Sequence, residues 1–235
     1  MITNKSNGLT HVDYASGEVI LIDKEKGKSS FNAVYRVRKI VNVKKVGHAG
    51  TLDPAATGLL IICIGRNKTK EIPMYQELEK IYSGTIEIGK RTPSLDAETE
   101  FSEENDFSFV TSEMIEETRK SFIGKNQQVP PMYSALKQKG KRLYKLARKG
   151  IVVERQPREI EIYDFEITRV ELPEIDFRIR CSKGTYIRVI ADDFGIKLKC
   201  GGYLKSLRRE AIGEFNVADA LTVDEFSKLN EVEER

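Results

Sequence analysis

The alternation of apolar and polar residues predicts a chain of short elements. Gly17–Asp23 (GEVILID) is an apolar run with strand character. Lys28–Ser30 then offers a serine cap, and Phe31, Val34, Val37, Ile40 and Val41 follow at helical spacing. A loop rich in Gly and Pro, Gly47–Gly58, leads into Leu59–Ile64, the densest apolar stretch and a candidate buried strand. Lys80–Ile88 alternates as a half-buried strand should. Residues 96–110 form an acidic surface excursion, and Ser112–Phe122 has the pattern of a helix. Ile160, Ile162, Phe165 and Ile167 mark a strand whose alternation slips at Asp164, and Ile175, Phe177, Ile179 and Cys181 mark another. Helical spacing returns in Tyr186–Leu198, and TVDE at Thr222 makes a capping box for a last helix.

Strands outnumber helices and do not alternate with them regularly, so the expected class is α+β with a mixed, largely antiparallel central sheet flanked by helices and loops. With 235 residues the chain suffices for one large domain or two small ones, and no internal repeat forces a boundary. No apolar run approaches the roughly 20 residues of a membrane span. The N-terminal MITNKSNGLT lacks the apolar region of a secretory signal. Cys63, Cys181 and Cys200 form neither a disulfide framework nor a zinc pattern, which points to a reducing, cytoplasmic protein without a structural metal.

The net charge of +3 identifies no partner, but its distribution is uneven. Asp96–Glu117 holds nine acidic residues and no basic one, whereas 126–150 holds Lys137, Lys139, Lys141, Arg142, Lys145, Arg148 and Lys149 and no acidic one. Such a stretch is either a solvated face or the footprint of a polyanion partner.

Gly47–Gly58 reads GHAGTLDPAATG, a small-residue loop with one carboxylate. Pro54 biases Asp53 toward extended backbone. A carboxylate on a constrained loop is placed to meet a substrate, and Asp-Pro is equally a common turn pair.

This loop closely resembles the motif around the catalytic aspartate of TruB-type pseudouridine synthases. Further blocks resemble that family in the same order: Lys80-Ile81-Tyr82, Val129–Lys145 (VPPMYSALKQKGKRLYK), Cys181–Asp193 (CSKGTYIRVIADD) and Leu207-Arg208-Arg209. The resemblance runs from about Gly17 to Phe215 and implies the pseudouridine synthase fold. It implies a catalytic domain over 1–215 with a thumb-like RNA-binding insertion around 126–150. Residues 216–235 are expected to form a short helix and tail, without the full C-terminal RNA-binding domain of many bacterial relatives.

The reaction implied is isomerisation of a tRNA T-loop uridine, conventionally position 55, after its extrusion from the folded loop. Asp53 is implied as nucleophile or base at the ribose, and Arg188 as the arginine that pairs with that carboxylate. Tyr82 is implied over the uracil ring. His48 is implied near the displaced nucleotide, Tyr186 and Leu207 in the uridine pocket, and Lys70 and Asp96 at polar family positions. Each has a plainer reading as a salt bridge, core residue or turn. Interleaved with Tyr133, Leu136, Leu143, Tyr144 and Leu146, the basic stretch suits a loop or short helix gripping RNA phosphates. The chemistry calls for no cofactor and no metal. The implied partner is the T-arm of tRNA, bound by a monomer that needs no protein partner, guide RNA, DNA or membrane. The alternatives are a non-catalytic RNA-binding or RNA-folding protein on the same scaffold, and a hydrolase that releases uracil.

Overall fold

The computed structural model describes residues 1–9, 11–134, 136–138 and 140–231. Along the chain run β1 (Glu18–Lys24), α1 (Ser30–Val41), β2 (Val46–Ala49), β3 (Thr57–Ile64), α2 (Gly65–Thr69), α3 (Ile72–Glu77) and β4 (Lys80–Ile88). Then come β5 (Lys90–Arg91), β6 (Glu103–Glu104), α4 (Ser112–Lys120), β7 (Gly124–Gln128), β8 (Lys137–Gln138), β9 (Lys141–Arg142) and α5 (Leu143–Ala147). The remainder is β10 (Arg158–Glu171), β11 (Glu174–Cys181), α6 (Ile187–Lys197), β12 (Gly202–Ile212), β13 (Phe215–Asn216), a 3-10 turn (Val217–Asp219) and α7 (Val223–Asn230). The chain forms two compact units, Met1–Tyr82 with the segment from Leu207 onward, and Ser83–Ser206, so β4 and β12 each have residues in both.

The first unit is built on β3. β1 runs antiparallel along one edge of it, from Glu18↔Ile64 to Lys24↔Gly58. β2 pairs antiparallel with its later half, Val46↔Ile64 to Ala49↔Ile61, and β12 joins parallel at its start through Arg208↔Thr57 and Arg209↔Gly58. Both faces are covered, which explains the unbroken apolar run of β3, since no position in it faces water. Ile20, Ile22, Leu60 and Ile62 pack with Val34, Val37 and Val41 of α1 and Val223 and Phe226 of α7. Val19, Leu21, Leu59, Ile61 and Cys63 pack on the opposite side with Tyr75 of α3, Ile212 and Val217. Burial pushes the Cys63 thiol up to about 12.

Helix α1 starts at Ser29, whose side chain accepts from Asn32 N, and stops at Asn42 in the left-handed conformation. Its inward stripe is Ser30, Val34, Val37 and Val41, whereas Phe31, an apolar position of the expected helix, is 67% exposed. Ser30 displaces it because its hydroxyl has a buried partner, described below. The capping box at Thr222 forms as expected.

In the second unit β10 and β11 make a long antiparallel hairpin, and β7 lies antiparallel on the other side of β10. The register shifts between Ile162 and Asp164, where the sequence alternation slips. Phe122, Phe165, Phe177 and Phe194 form its aromatic core, with ring centroids about 6 Å apart. Helix α6 approaches the chain at Gly195, where a Cβ would lie 2.1 Å from Gly201 C. β8 and β9 pair as a small hairpin leading into α5.

Parallel pairing of β12 with β3 depends on Gly58. Its φ is +102°, and a Cβ there would lie 2.3 Å from Arg209 O and 2.6 Å from Arg209 N. Gly58→Ala is expected to destabilise the protein by about 2–5 kcal/mol, from overpacking added to backbone strain. Gly27→Ala is the control, with φ +80° but nothing within 4 Å of the added methyl. It should cost about 1–2 kcal/mol. Urea unfolding of both checks this, and equal losses would remove the close approach as the cause.

Candidate functional site

Asp53 lies on the loop of the β2–β3 hairpin. The loop is shorter than the sequence suggests, because Gly47–Ala49 belong to β2 and β3 begins at Thr57. What remains, 50–56, is fastened to buried groups of the first unit. Ser30 Oγ donates to Leu52 O at 3.0 Å and accepts from Leu52 N at 2.8 Å, so one buried hydroxyl satisfies both main-chain groups next to Asp53. Gly27 N donates to Pro54 O at 2.8 Å, and Ala56 N closes the turn onto Asp53 O at 3.1 Å.

Two buried cations brace the same loop. Arg209 is 1% exposed, and its Nε donates to Leu59 O at 2.8 Å and its Nη2 to Gly50 O at 3.1 Å. It therefore ties the strand leaving the loop to the residue entering it. Lys24, also 1% exposed, donates to Glu25 O at 2.8 Å and Lys28 O at 2.7 Å, with Pro54 O at 3.4 Å. Burial pushes its ammonium down to about 8, and the Asp53 carboxylate is the strongest influence in the other direction. Beside Lys24, Asp23 takes both terminal nitrogens of Arg208, at 3.1 and 2.7 Å.

The other expected residues of this unit sit as follows. His48 is half-buried on β2 opposite Ile62. Its Nδ1 is buried with no hydrogen-bond partner among the described residues, and burial pushes the imidazole below its usual range. Leu207 is half-buried two residues from Arg209 on β12, on the same strand face by alternation. Tyr82 is buried on β4, two residues after Lys80, whose ammonium donates to Gln76 O and Leu78 O. Lys70 is exposed at the end of α2.

In the second unit the expected residues gather around the start of α6. Arg188 is 4% exposed, donates to Ser94 O at 3.2 Å and Tyr133 O at 2.7 Å, and pairs with buried Asp96 at 3.3 Å. Asp96 thus joins the arginine. Tyr186 precedes the helix and is clasped by Gln128, which donates to its carbonyl at 3.1 Å and accepts from its N–H at 2.8 Å. In the basic stretch Lys141, Lys145, Arg148 and Lys149 are exposed, and Arg148 reaches Glu98 at 3.0 Å. Lys137 and Arg142 lie in β8 and β9, and Lys139 lies outside the described residues.

Sequence reasoning missed Lys24, Ser30, Gln128 and Arg209. The one signal for Arg209 was its place in Leu207-Arg208-Arg209, and its inward direction needs the strand β12, which no alternation announces.

Solved structures give the class. A Cbf5-Nop10-Gar1 complex matches with a TM-score of 0.70 at 23% identity, over 97% of this chain and 62% of that one. An archaeal box H/ACA sRNP Nop10-Cbf5 complex matches with 0.66 at 22%, over 92% and 54%. The chain spans a little over half of those proteins, and the fold is that of the pseudouridine synthases. The family follows from sequence. The model of the TruB family pseudouridylate synthase (N terminal domain) matches residues 38–187. The tRNA pseudouridine synthase B of Chloroherpeton thalassium is 49% identical over 214 residues, 89% of this chain and 88% of that protein. That of Flavobacterium johnsoniae is 46% identical over 227 residues, 94% and 99% respectively. The chain belongs to the TruB family of pseudouridylate synthases.

The pH behaviour of Lys24 tests this geometry. The unfolded chain keeps that proton to about pH 10.5, and the folded chain releases it near 8. Below pH 8 the buried charge therefore destabilises the fold, and this effect fades as pH rises toward 10.5, where the unfolded state binds more protons. The stability of the wild type relative to Lys24→Met should rise across that window in denaturant titrations at fixed pH. A difference that is flat with pH would mean the ammonium is not desolvated.

Proposed function

We propose that this chain converts a uridine of tRNA, the T-loop uridine at position 55, into pseudouridine. The observation behind this is the near-half identity, over nine-tenths of the chain, to relatives named tRNA pseudouridine synthase B. The glycosidic bond between C1′ and N1 breaks, the uracil turns in place, and C5 bonds to C1′. The proton lost from C5 is balanced by one gained at N1, so no oxidant or group carrier is consumed.

Asp53 acts at the ribose as nucleophile or base, on a loop whose main chain is held by Ser30, Lys24 and Arg209. Fixing the backbone lets the carboxylate meet the sugar without an ordering step. Tyr82 and Arg188 complete the catalytic set, Tyr82 as the ring over the uracil. His48, Tyr186, Leu207, Lys70 and Asp96 bind the extruded nucleotide. The basic stretch from Lys137 to Lys149 grips phosphates of the T-arm. The enzyme works as a monomer, without guide RNA or protein partner.

Pseudouridine mapping on unmodified tRNA tests the reading. Wild type should modify the T-loop uridine alone, and Asp53→Asn should lower the rate by several orders of magnitude with RNA binding retained. Tight binding with no pseudouridine from the wild type would favour the RNA-binding alternative, and free uracil would favour the hydrolase. Replacing Lys139, Lys141 and Arg142 together by Ala should weaken binding and reduce the salt slope by about 2–3. An unchanged slope would remove that stretch from the interface.

A further inference from the structure

Arg158 opens β10 opposite Gln128, the residue that clasps the Tyr186 main chain. Its guanidinium lies over the Tyr186 ring, 4.6 Å from the centroid. On the Nη1 side it packs on bare backbone, since a Cβ at Gly184 would lie 3.5 Å from that nitrogen. Ring and glycine thus fix the plane of the guanidinium. Nε and Nη2, by contrast, are buried and have no hydrogen-bond partner among the described residues.

Those two N–H groups lie side by side on one edge of the guanidinium and point the same way, a fork that matches two oxygens of one anion. Two other arginines of the same unit have this edge filled. In Arg91 it holds both oxygens of Asp192, at 2.8 and 3.1 Å, and in Arg119 both oxygens of Glu116, at 2.7 and 2.6 Å. Leaving buried donors unsatisfied is unfavourable, and a charged donor more so. An arginine oriented by an aromatic face, with its bidentate edge unsatisfied, is therefore a donor pair suited to an anion that displaces the atoms covering it.

We propose that Arg158 receives a backbone phosphate of the substrate RNA on its Nε–Nη2 edge, beside Tyr186, and so positions the nucleotide that Tyr186 contacts. This rests on the uridine-isomerase reading above. Phosphate is the favoured partner because RNA presents two anionic oxygens at every linkage, whereas the guanine O6–N7 edge, the base group that also fits a two-donor fork, carries no charge to offset a desolvated guanidinium.

The test titrates unmodified tRNA against wild type, Arg158→Gln and Arg158→Lys at salt concentrations from about 50 to 200 mM, with thermal unfolding as the check on folding. Arg158→Gln should weaken binding about 10- to 100-fold and flatten the salt slope by about 0.7–0.9, one phosphate's worth. Arg158→Lys keeps the charge and loses the fork, so it should keep the slope and bind about tenfold more weakly. A folded Arg158→Gln with the wild-type slope would overturn the proposal and leave Arg158 as a packing partner of Tyr186. If that variant does not fold, Arg158→Lys decides, and wild-type affinity there would overturn it equally. Pseudouridine formation by the wild type is scored in the same samples. Its absence, with the salt slopes as predicted, would sink the isomerase reading and leave the phosphate contact standing.

Discussion

A buried cation needs as many acceptors as it has donors, and in the first unit those acceptors are backbone carbonyls. Lys24 donates to Glu25 O and Lys28 O with Pro54 O nearby, and Arg209 donates to Gly50 O and Leu59 O. Carbonyls near the Asp53 loop are thereby satisfied without water, which a buried loop otherwise cannot arrange. Carbonyl dipoles also leave the formal charge of the cation in place. The field of that charge extends to the carboxylate beside it, as the mutual influence of Lys24 and Asp53 records. One set of contacts therefore holds the loop's shape and leaves a buried cation close enough to Asp53 for the two charges to act on each other.

The same device recurs at the start of α6. Arg188 donates to Ser94 O and Tyr133 O, and Asp96 supplies a carboxylate. Gln128 holds the main chain at Tyr186 from both sides, which fixes the helix entry although Tyr186 itself provides no side-chain cap. In this unit Lys141 and Lys145 are exposed on the short elements β9 and α5, with Arg148 and Lys149 exposed just after them, and Arg188 is buried on α6.

Most of the regular structure was legible because it is periodic. Runs such as Leu59–Ile64 and Ile175–Cys181 admit one reading, and even the bulge at Asp164 left its mark as a slipped alternation. Among the elements that were not legible, three have a clear physical reason. β7 reads GKNQQ, and its one buried residue, Gln128, faces inward to bind backbone, which looks like a polar loop. β12 has most of its apolar residues at its ends and charges around Leu207 in its middle, because Arg209 points into the fold. β2 is masked by the glycines of the motif it opens. The family motif supplied Asp53, Tyr82 and Arg188, and spacing alone left each with a plainer reading.

Phe31 and Ser30 show why the remainder stays hidden. Hydrophobic spacing turns Phe31 inward, yet the helix rotates so that Ser30 faces the interior, where its hydroxyl takes both main-chain groups of Leu52. Exposing an aromatic ring gives up about 2 kcal/mol of burial at most. Stranding a buried N–H and C=O together would cost more than that. The balance is decided by a partner 22 residues away in a loop, which no local window contains. Polar atoms that fasten a functional loop are matched pairwise across the fold, so they become readable only when both members are in view.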